Sequence, residues 1–227
     1  MIIGTGFIAS AFEKSNFDHS DFIIFASGVS NSLAKRNFEG FDREKKLLKE
    51  NLANNKKLIY FSTTSIFDKS RIDSAYISFK LEIEKYIQEN SNNFLIYRLP
   101  IVAGFSNNPC TLLNFLHANI KASNLIEIQF NATRYIVDIE DVVKIVLATA
   151  KRATNQILNF TLGTKIKILD LVKIFEEGLN KKANIQIIND GDSYNVENKN
   201  LMKLIKDLDI YYGENKIREI IYKYYIT

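Results

Sequence analysis

Short apolar runs alternate with amphipathic segments along the first hundred residues. Met1–Ile3 is apolar and leads directly into a glycine turn, and Phe22–Ala26 is a continuous apolar run. A further run, Lys57–Phe61, precedes the long segment Ser74–Asn90, in which apolar side chains recur every three or four residues. Continuous apolar runs are typical of parallel strands buried on both faces, and the longer recurrence is typical of helices. The pattern predicts an α/β fold built on a Rossmann-like, doubly wound parallel sheet.

The remaining segments divide the chain into a core and a second lobe. Residues 42–54 predict a helix and Phe94–Arg98 predicts a strand, which completes the alternation. Beyond residue 100 the elements are mixed, with helices predicted at 111–121, 138–152, 169–180 and in the tail, and strands at 125–130, 135–137, 157–162 and 185–188. We therefore expect a core of residues 1–100, with returning segments near 135–160, and a small C-terminal α+β lobe from 101–227. The two are expected to form one compact unit.

The composition excludes several classes of protein. The net charge is +4, from 30 basic and 26 acidic side chains that are interspersed along the 227 residues, so no nucleic-acid partner is expected. No run approaches 18 apolar residues and the start lacks a charged region followed by an apolar one, so we expect no membrane contact and a cytoplasmic protein. Cys110 is the only cysteine, and His19 and His117 have no ligand-like spacing, so no metal site is expected.

The first candidate for chemistry is the turn after Ile3, where Gly4, Gly6 and Ala9 form a G-x-G-x-x-A pattern. A glycine turn between a strand and a helix lets backbone N–H groups approach a pyrophosphate at the positive helix terminus. Such turns also occur for packing reasons alone. The position of this one, at the start of an alternating strand–helix pattern, favours dinucleotide binding.

The second candidate is Tyr76 with Lys80, four residues apart on the predicted helix. This spacing places them on one face, about 5–6 Å apart at Cβ. A neighbouring ammonium lowers the pKa of a tyrosine from about 10 towards neutral, which would let Tyr76 exchange a proton with a carbinol oxygen. The same spacing arises by chance in a chain rich in Tyr and Lys.

A polar strand end distinguishes this pair from a chance match. Ser62-Thr63-Thr64 follows the apolar run Lys57–Phe61, and carboxyl ends of parallel strands are where such folds place their chemistry. These hydroxyls are predicted to hold the same substrate oxygen as Tyr76. Their alternative role is to cap the following turn.

These motifs together resemble the extended short-chain dehydrogenase/reductase superfamily, in particular its nucleotide-sugar epimerase/dehydratase/reductase branch, in a shortened form. The resemblance implies NADP or NAD as cofactor, a nucleotide-sugar substrate, and catalysis by Tyr76 and Lys80, with Thr64 on the substrate hydroxyl. It makes residues 1–100 the cofactor-binding core and the rest mainly a substrate lobe. The implied cofactor-binding positions are Gly4, Thr5, Gly6, Phe7, Ile8, Ala9, Ala26, Ser27, Gly28, Ser62, Lys80 and Pro100. The segment Asp21–Ser30 resembles the family strand that ends in a small-residue loop beside the cofactor.

The resemblance also assigns substrate contacts. Thr64 and Ser65 would touch the sugar, and Arg134, seven residues before Asp141, matches an arginine that grips the nucleotide diphosphate. A guanidinium binds phosphate through paired, charge-assisted hydrogen bonds. The alternative is a structural salt bridge between Arg134 and Asp138 or Asp141.

Three departures from the family pattern narrow the expected function. Between the first helix and Phe22 there is no room for the two βα units that normally intervene, so the acidic residue that closes the second strand and selects NAD is absent. The family's asparagine after the Arg-Leu-Pro-like segment is Ile101. The Asp-Glu pair of the 4,6-dehydratases is absent after Thr64, where Ser65-Ile66 stands, so dehydration is not expected.

The sequence thus predicts an oxidoreductase that reduces a keto-sugar nucleotide or epimerises it through a transient ketone. One alternative is a non-catalytic relative that binds a nucleotide or scaffolds a partner. Another is a reductase of a non-sugar carbonyl compound, for which Arg134 has no use. The apolar stripes of the helices at 42–54 and 74–90 suit either a homodimer or the cover of the sheet.

Overall fold

The computed structural model of the 227-residue chain describes residues 1–15, 18, 20–29, 38–52, 56–213 and 215–226. The elements of the core, in chain order, are β1 (Ile2–Ile3), α1 (Phe7–Glu13), β2 (Phe22–Phe25), α2 (Phe38–Leu52), β3 (Lys57–Thr63), two 3₁₀ helices (Thr64–Phe67 and Lys69–Arg71), α3 (Ala75–Asn90) and β4 (Phe94–Leu99). They continue with β5 (Ile101–Ala103), α4 (Leu112–Ala122), β6 (Leu125–Gln129), β7 (Thr133–Arg134), β8 (Ile136–Asp138), α5 (Ile139–Ala150), β9 (Gln156–Asn159), β10 (Ile166–Lys167), α6 (Ile168–Leu179), β11 (Asn184–Ile188), α7 (Lys199–Leu204) and α8 (Lys216–Tyr225).

The central sheet has five strands in the order β1-β2-β3-β4-β9, and each neighbouring pair is parallel. The predicted α/β class and parallel sheet are confirmed. β2 is buried along its whole length and β3 from Leu58 onward, as the continuous apolar runs indicate. Within the described residues β1 is an edge strand. The second and third strands of the family pattern, for which the sequence has no room, do not stand beside it.

Helices cover both faces of the sheet. On one face, Phe12 of α1 packs in a cluster with Ile24 and Ile59, and α5 lies beside α1. On the other face, Leu48 of α2 and Ile83 of α3 pack with alternate residues of the same strands. The two clusters follow the two-residue alternation of side chains along a strand.

The connection from β1 through α1 to β2 differs from those that follow it. The chain steps in one direction across the sheet from β1 to β4, yet α1 lies on the opposite face from α2 and α3. This first crossover therefore has the opposite hand to the next two, although about 98% of parallel crossovers are right-handed. With α1 on its face, a right-handed connection would lead to a strand on the other side of β1, which is where the missing βα units belong.

The C-terminal lobe is built from three small strand pairs and their helices. β5 pairs with β8 and β6 with β11, both in parallel, whereas β7 pairs with β10 in antiparallel orientation. The predicted helical tail is two helices, α7 and α8, separated by residues 205–215. The strands β5, β7 and β10 were not predicted, since two or three residues show no periodicity. In the described ranges no helix has the length and apolar character needed to cross a bilayer.

Candidate functional site

A cleft of about 1660 Å³ opens at the carboxyl ends of β1 to β4 and is closed on its other side by the lobe. Parallel sheets of this kind place their ligands at this edge. Most of the predicted site residues line the cleft, namely Thr5, Gly6, Phe7, Ile8, Ala26, Gly28, Ser62, Thr64, Ser65, Tyr76, Lys80, Pro100 and Arg134. Gly4, Ala9 and Ser27 do not line it.

The two glycines of the first turn have different roles. Gly4 has a φ of +121°, and a Cβ there would lie 2.5 Å from the Ala26 carbonyl oxygen, so it is required for the close packing of β1 on β2. Gly6 caps the N-terminus of α1 with a φ of −82°, and a Cβ there would meet nothing within 4 Å. The fold itself does not need a glycine at position 6. The open space before the helix terminus is suited to a phosphate group.

The loop after β2 lies beside this turn. The Ser27 carbonyl oxygen accepts a hydrogen bond of 3.1 Å from the Arg43 guanidinium. Gly28 lies against the end of Lys80, because a Cβ there would come within 2.9 Å of Nζ. Ser30, at the end of the family-like segment, lies outside the described residues, as does His19. His117 lies between the rings of Phe175 and Tyr225, at centroid distances of 6.3 and 6.0 Å.

Tyr76 stands in the first turn of α3 and is buried at the cleft. The side chain of Thr63 lies close enough to this hydroxyl to lower its pKa. The Thr63 oxygen in turn accepts the backbone N–H of Ser65 at 3.0 Å, which fixes the direction of its own hydroxyl. The structure thus places Thr63, and not the predicted Thr64, beside the Tyr76 hydroxyl.

Thr64 lies instead close enough to the Tyr194 hydroxyl to lower the pKa of Tyr194, a residue with no motif in the sequence. Tyr194 follows β11 and lines the cleft together with Thr64. Its ring lies 5.9 Å from the guanidinium carbon of Arg134. Tyr194 therefore lies between the polar end of β3 and Arg134. A single aromatic residue in a polar loop gives no local signal of this contact.

Lys80 makes a buried ion pair that the sequence also did not reveal. Its Nζ lies 2.8 Å from Oε1 of Glu44 and 2.9 Å from the Tyr60 hydroxyl, and both charged side chains are almost fully buried. Glu44 belongs to a charged stretch of α2, where such residues usually face solvent. The distance from Nζ to the centroid of the Tyr76 ring is 5.9 Å.

The proton affinity of Tyr76 differs from the expectation. Burial raises the pKa of Tyr76 above its ordinary value, and the Lys80 ammonium only partly counters this effect. The Glu44 carboxylate adds to the rise in the pKa. The predicted lowering of this pKa towards neutral is therefore wrong, because burial outweighs the Lys80 ammonium and the Glu44 carboxylate adds to the rise.

Ser62 is held by a network behind the cleft. Its hydroxyl donates to Oε1 of Glu84 at 2.5 Å, and the Arg98 guanidinium donates to both oxygens of the same carboxylate. Glu84 is nearly fully buried. The network fixes the end of β3 against α3 and β4.

Arg134 forms an ion pair with Asp68, which precedes the second 3₁₀ helix. Its guanidinium lies 3.0 Å from Oδ2 of Asp68 and also donates to the Thr133 carbonyl oxygen at 2.8 Å. The predicted alternative, a salt bridge to Asp138 or Asp141, is wrong. Those two carboxylates accept hydrogen bonds from tyrosines of the C-terminal segment, at 2.6 Å from Tyr224 to Asp138 and 2.9 Å from Tyr212 to Asp141.

Arg71 is a second cation in the cleft. It is half-buried at the end of the second 3₁₀ helix and lines the cleft close enough for its charge to act on both Tyr76 and Tyr194. Within the part of the chain that the structure describes, its guanidinium has no hydrogen-bond or ion-pair partner. An unpaired guanidinium in a cleft is suited to an anionic ligand.

Comparison with known proteins identifies the fold. No family model and no curated protein matches the sequence. Among solved structures, the UDP-glucuronic acid 4-epimerase of Bacillus cereus, in complex with UDP-glucuronic acid and NAD, is similar at a TM-score of 0.69 and 18% identity, over 90% of this chain and 74% of that one. The dTDP-glucose 4,6-dehydratase of Bacillus anthracis with NAD gives 0.69 and 14%, over 90% and 72%. RMD of Pseudomonas aeruginosa, complexed with NADPH, gives 0.65 and 15%, over 88% and 79%. The chain therefore shares the fold of these three structures.

Proposed function

We propose that this protein is an NAD(P)-dependent oxidoreductase that acts at a carbinol or ketone carbon of a nucleotide-activated sugar, by keto-sugar reduction or by epimerisation. The observation that carries the proposal is the position of Tyr76, which lies beside Thr63 in a cleft that also contains the open turn at Gly6 and Arg134. One cleft thus contains a turn that could bind the cofactor phosphates, a tyrosine that could donate a proton, and an arginine that could bind the substrate phosphates.

Gly6, Gly28 and Lys80 would hold the cofactor. A Cβ at Gly6 would meet no atom within 4 Å, which leaves open space before α1 for a pyrophosphate, and the Lys80 ammonium lies against Gly28. A bound nicotinamide would supply or accept the hydride. Beyond β1 the described sheet has no further strand, so the adenosine end would have less protein around it than in a longer sheet.

Tyr76 and Thr63 would act on the substrate oxygen. Both hydroxyls lie at the carboxyl end of the sheet, where a substrate carbonyl oxygen can accept a hydrogen bond from each of them. Tyr76 would then give its proton to that oxygen, or take it back in the reverse direction. Thr63 replaces Thr64 in this role, while Thr64 with Ser65 and Tyr194 would line the sugar pocket.

Arg134 and Arg71 would bind the diphosphate. Arg134 has its position fixed by Asp68, and Arg71 has a free set of donors on the Tyr76 side of the cleft. Both charges favour an anionic substrate over a neutral carbonyl compound.

The first experiment is a titration of the protein with NADH and NADPH, followed by cofactor fluorescence. We expect at least one of them to bind, after which keto-sugar nucleotides are screened for oxidation of the bound cofactor. Absence of binding for both at millimolar concentration would refute the enzymatic function and favour a non-catalytic nucleotide-binding or scaffolding protein. Turnover of simple ketones alone would favour the non-sugar reductase.

Replacement of Arg71 tests the substrate class. We expect Arg71→Gln to raise KM for a nucleotide sugar about tenfold or more, since one charge-assisted contact contributes about 1.5–3 kcal/mol. The free energy of unfolding should stay unchanged, because no protein partner is lost. Arg134→Gln should raise KM as well but also destabilise the fold by about 3–5 kcal/mol, since it leaves the buried Asp68 unpaired.

The matched control is Arg152→Gln, because Arg152 is ion-paired with Asp207 on the surface, away from the cleft. Its KM should equal that of the wild type. An equal rise in KM for a nucleotide sugar and a simple ketone in Arg71→Gln would argue against a diphosphate contact.

A further inference from the structure

Glu44 is a fully buried carboxylate that the proposed chemistry does not use. Its Oε1 accepts hydrogen bonds from Lys80 at 2.8 Å and from the Tyr60 hydroxyl at 2.5 Å. Its Oε2 accepts the backbone N–H of Val29 at 2.7 Å. Both oxygens are therefore satisfied by three separate segments of the core. This arrangement is what a carboxylate requires in order to remain charged when buried.

The same contacts fix the place of Lys80. Its ammonium lies between Glu44 and Tyr60 and against Gly28, where any side chain would come within 2.9 Å of Nζ. Burial together with Glu44 raises the pKa of Tyr60, so the Tyr60 phenol remains a donor. Lys80 is thus held at one point below the loop that follows β2, and two of its three N–H donors are engaged.

Four charged or titratable groups face Tyr76. Lys80 comes from its own helix, Glu44 from α2, Tyr60 from β3 and Arg71 from the second 3₁₀ helix. The two cations favour the phenolate, whereas Glu44 favours the phenol. Because Glu44 touches Lys80 directly, the ion pair acts on Tyr76 as an almost neutral unit, and the ammonium alone would act much more strongly.

We propose that Glu44 is a positioning residue, which holds Lys80 below Gly28 and sets the pH at which Tyr76 exchanges its proton. The inference rests on the acid–base role given to Tyr76 in the proposed function. It can nevertheless be tested independently of the proposed function, since it concerns the ionisation of Tyr76 without cofactor or substrate.

The test is a pH titration of tyrosinate by ultraviolet absorbance, with the Tyr76 signal isolated as the difference between each protein and its Tyr76→Phe counterpart. In the wild type we expect the Tyr76 transition at a higher pH than that of an ordinary tyrosine, with circular dichroism used to confirm that the protein is folded there. In Glu44→Gln, whose single amide oxygen can accept from either Tyr60 or the Val29 N–H, we expect the transition about 1–3 pH units lower, the shift that an opposite charge nearby produces.

Glu84→Gln is the matched control. Glu84 is also buried and ion-paired, to Arg98, but it does not touch Lys80. Its replacement should lower stability without moving the Tyr76 transition. A folded Glu44→Gln protein with an unchanged transition would overturn the proposal. If Glu44→Gln does not fold, the wild-type titration decides alone, since ionisation of Tyr76 near neutral pH would contradict an offset by Glu44.

Kinetics give a second readout once a substrate is known. Reduction needs protonated Tyr76, so its rate falls as the pH rises through the pKa of Tyr76. Glu44→Gln should move this alkaline limb of kcat/KM to lower pH, whereas a purely structural role would lower the rate at every pH.

The absorbance titration uses neither cofactor nor substrate. Failure of the proposed function would therefore appear as lack of turnover, and failure of this inference as an unmoved tyrosine transition.

Discussion

Tyr76→Phe is expected to lower kcat about 10²–10⁴-fold with any substrate that the wild type turns over, the usual contribution of a positioned proton donor. The ring stays in place in this variant, so packing against its neighbours on α3 and β3 is retained. Only the hydroxyl and its interaction with Thr63 are removed. NADH or NADPH binding, measured by fluorescence, should stay within a few fold of the wild type.

The chain offers a close control in Tyr97→Phe. Tyr97 is a buried tyrosine on β4 whose hydroxyl is also bonded to a threonine, at 2.7 Å from Thr149, but it does not line the cleft. Its replacement should cost about 1 kcal/mol of unfolding free energy, as for a typical hydrogen bond, and leave kcat intact. Retained turnover in Tyr76→Phe would remove Tyr76 from the mechanism, whereas loss in both variants would point to general damage.

The core of this fold was predictable because its signals are local. β2 and β3 are continuous apolar runs, and a strand buried on both faces must be apolar at every position. The helix over 75–90 shows its apolar face in the spacing of its own residues. The position of β1 at the edge also followed from chain length, since too few residues stand between α1 and β2 for two further units.

The partners of the site residues were not predictable, because each depends on a contact across the fold. Glu44 appears in the sequence as one charge among many on a helix, and its contact with Lys80 spans 36 residues. Asp68 and Arg134 lie in different lobes, so the nearby Asp138 and Asp141 were the only partners that the sequence suggested. Thr63 and Thr64 are adjacent and chemically alike. Thr63 is the last residue of β3 and Thr64 the first of the following 3₁₀ helix, and only this change of backbone distinguishes the neighbour of Tyr76 from that of Tyr194.

Substitutions in the glycine turn after β1 are expected to give the second large effect. Gly6 is proposed to matter for cofactor binding, whereas Gly4 is needed for folding. Gly6→Val places a side chain in the open space before α1, where a Cβ meets no protein atom within 4 Å. Its φ of −82° is accessible to any residue, so the free energy of unfolding should change by less than about 1 kcal/mol. Affinity for NADH and NADPH should fall at least about tenfold, or 1.4 kcal/mol, because the side chain fills the place of the pyrophosphate.

Gly4→Ala should instead lower the free energy of unfolding more than it lowers cofactor affinity. The φ of +121° and the approach of 2.5 Å to the Ala26 carbonyl oxygen make this change costly for the fold, by about 1–3 kcal/mol or more. Denaturant unfolding and cofactor fluorescence, measured on both variants, give four values. The proposed cofactor site requires Gly6→Val to lose binding while it remains stable. A stable Gly6→Val protein that binds NADH and NADPH as tightly as the wild type would place the cofactor elsewhere, since a pyrophosphate and a valine side chain cannot occupy the same space in front of α1.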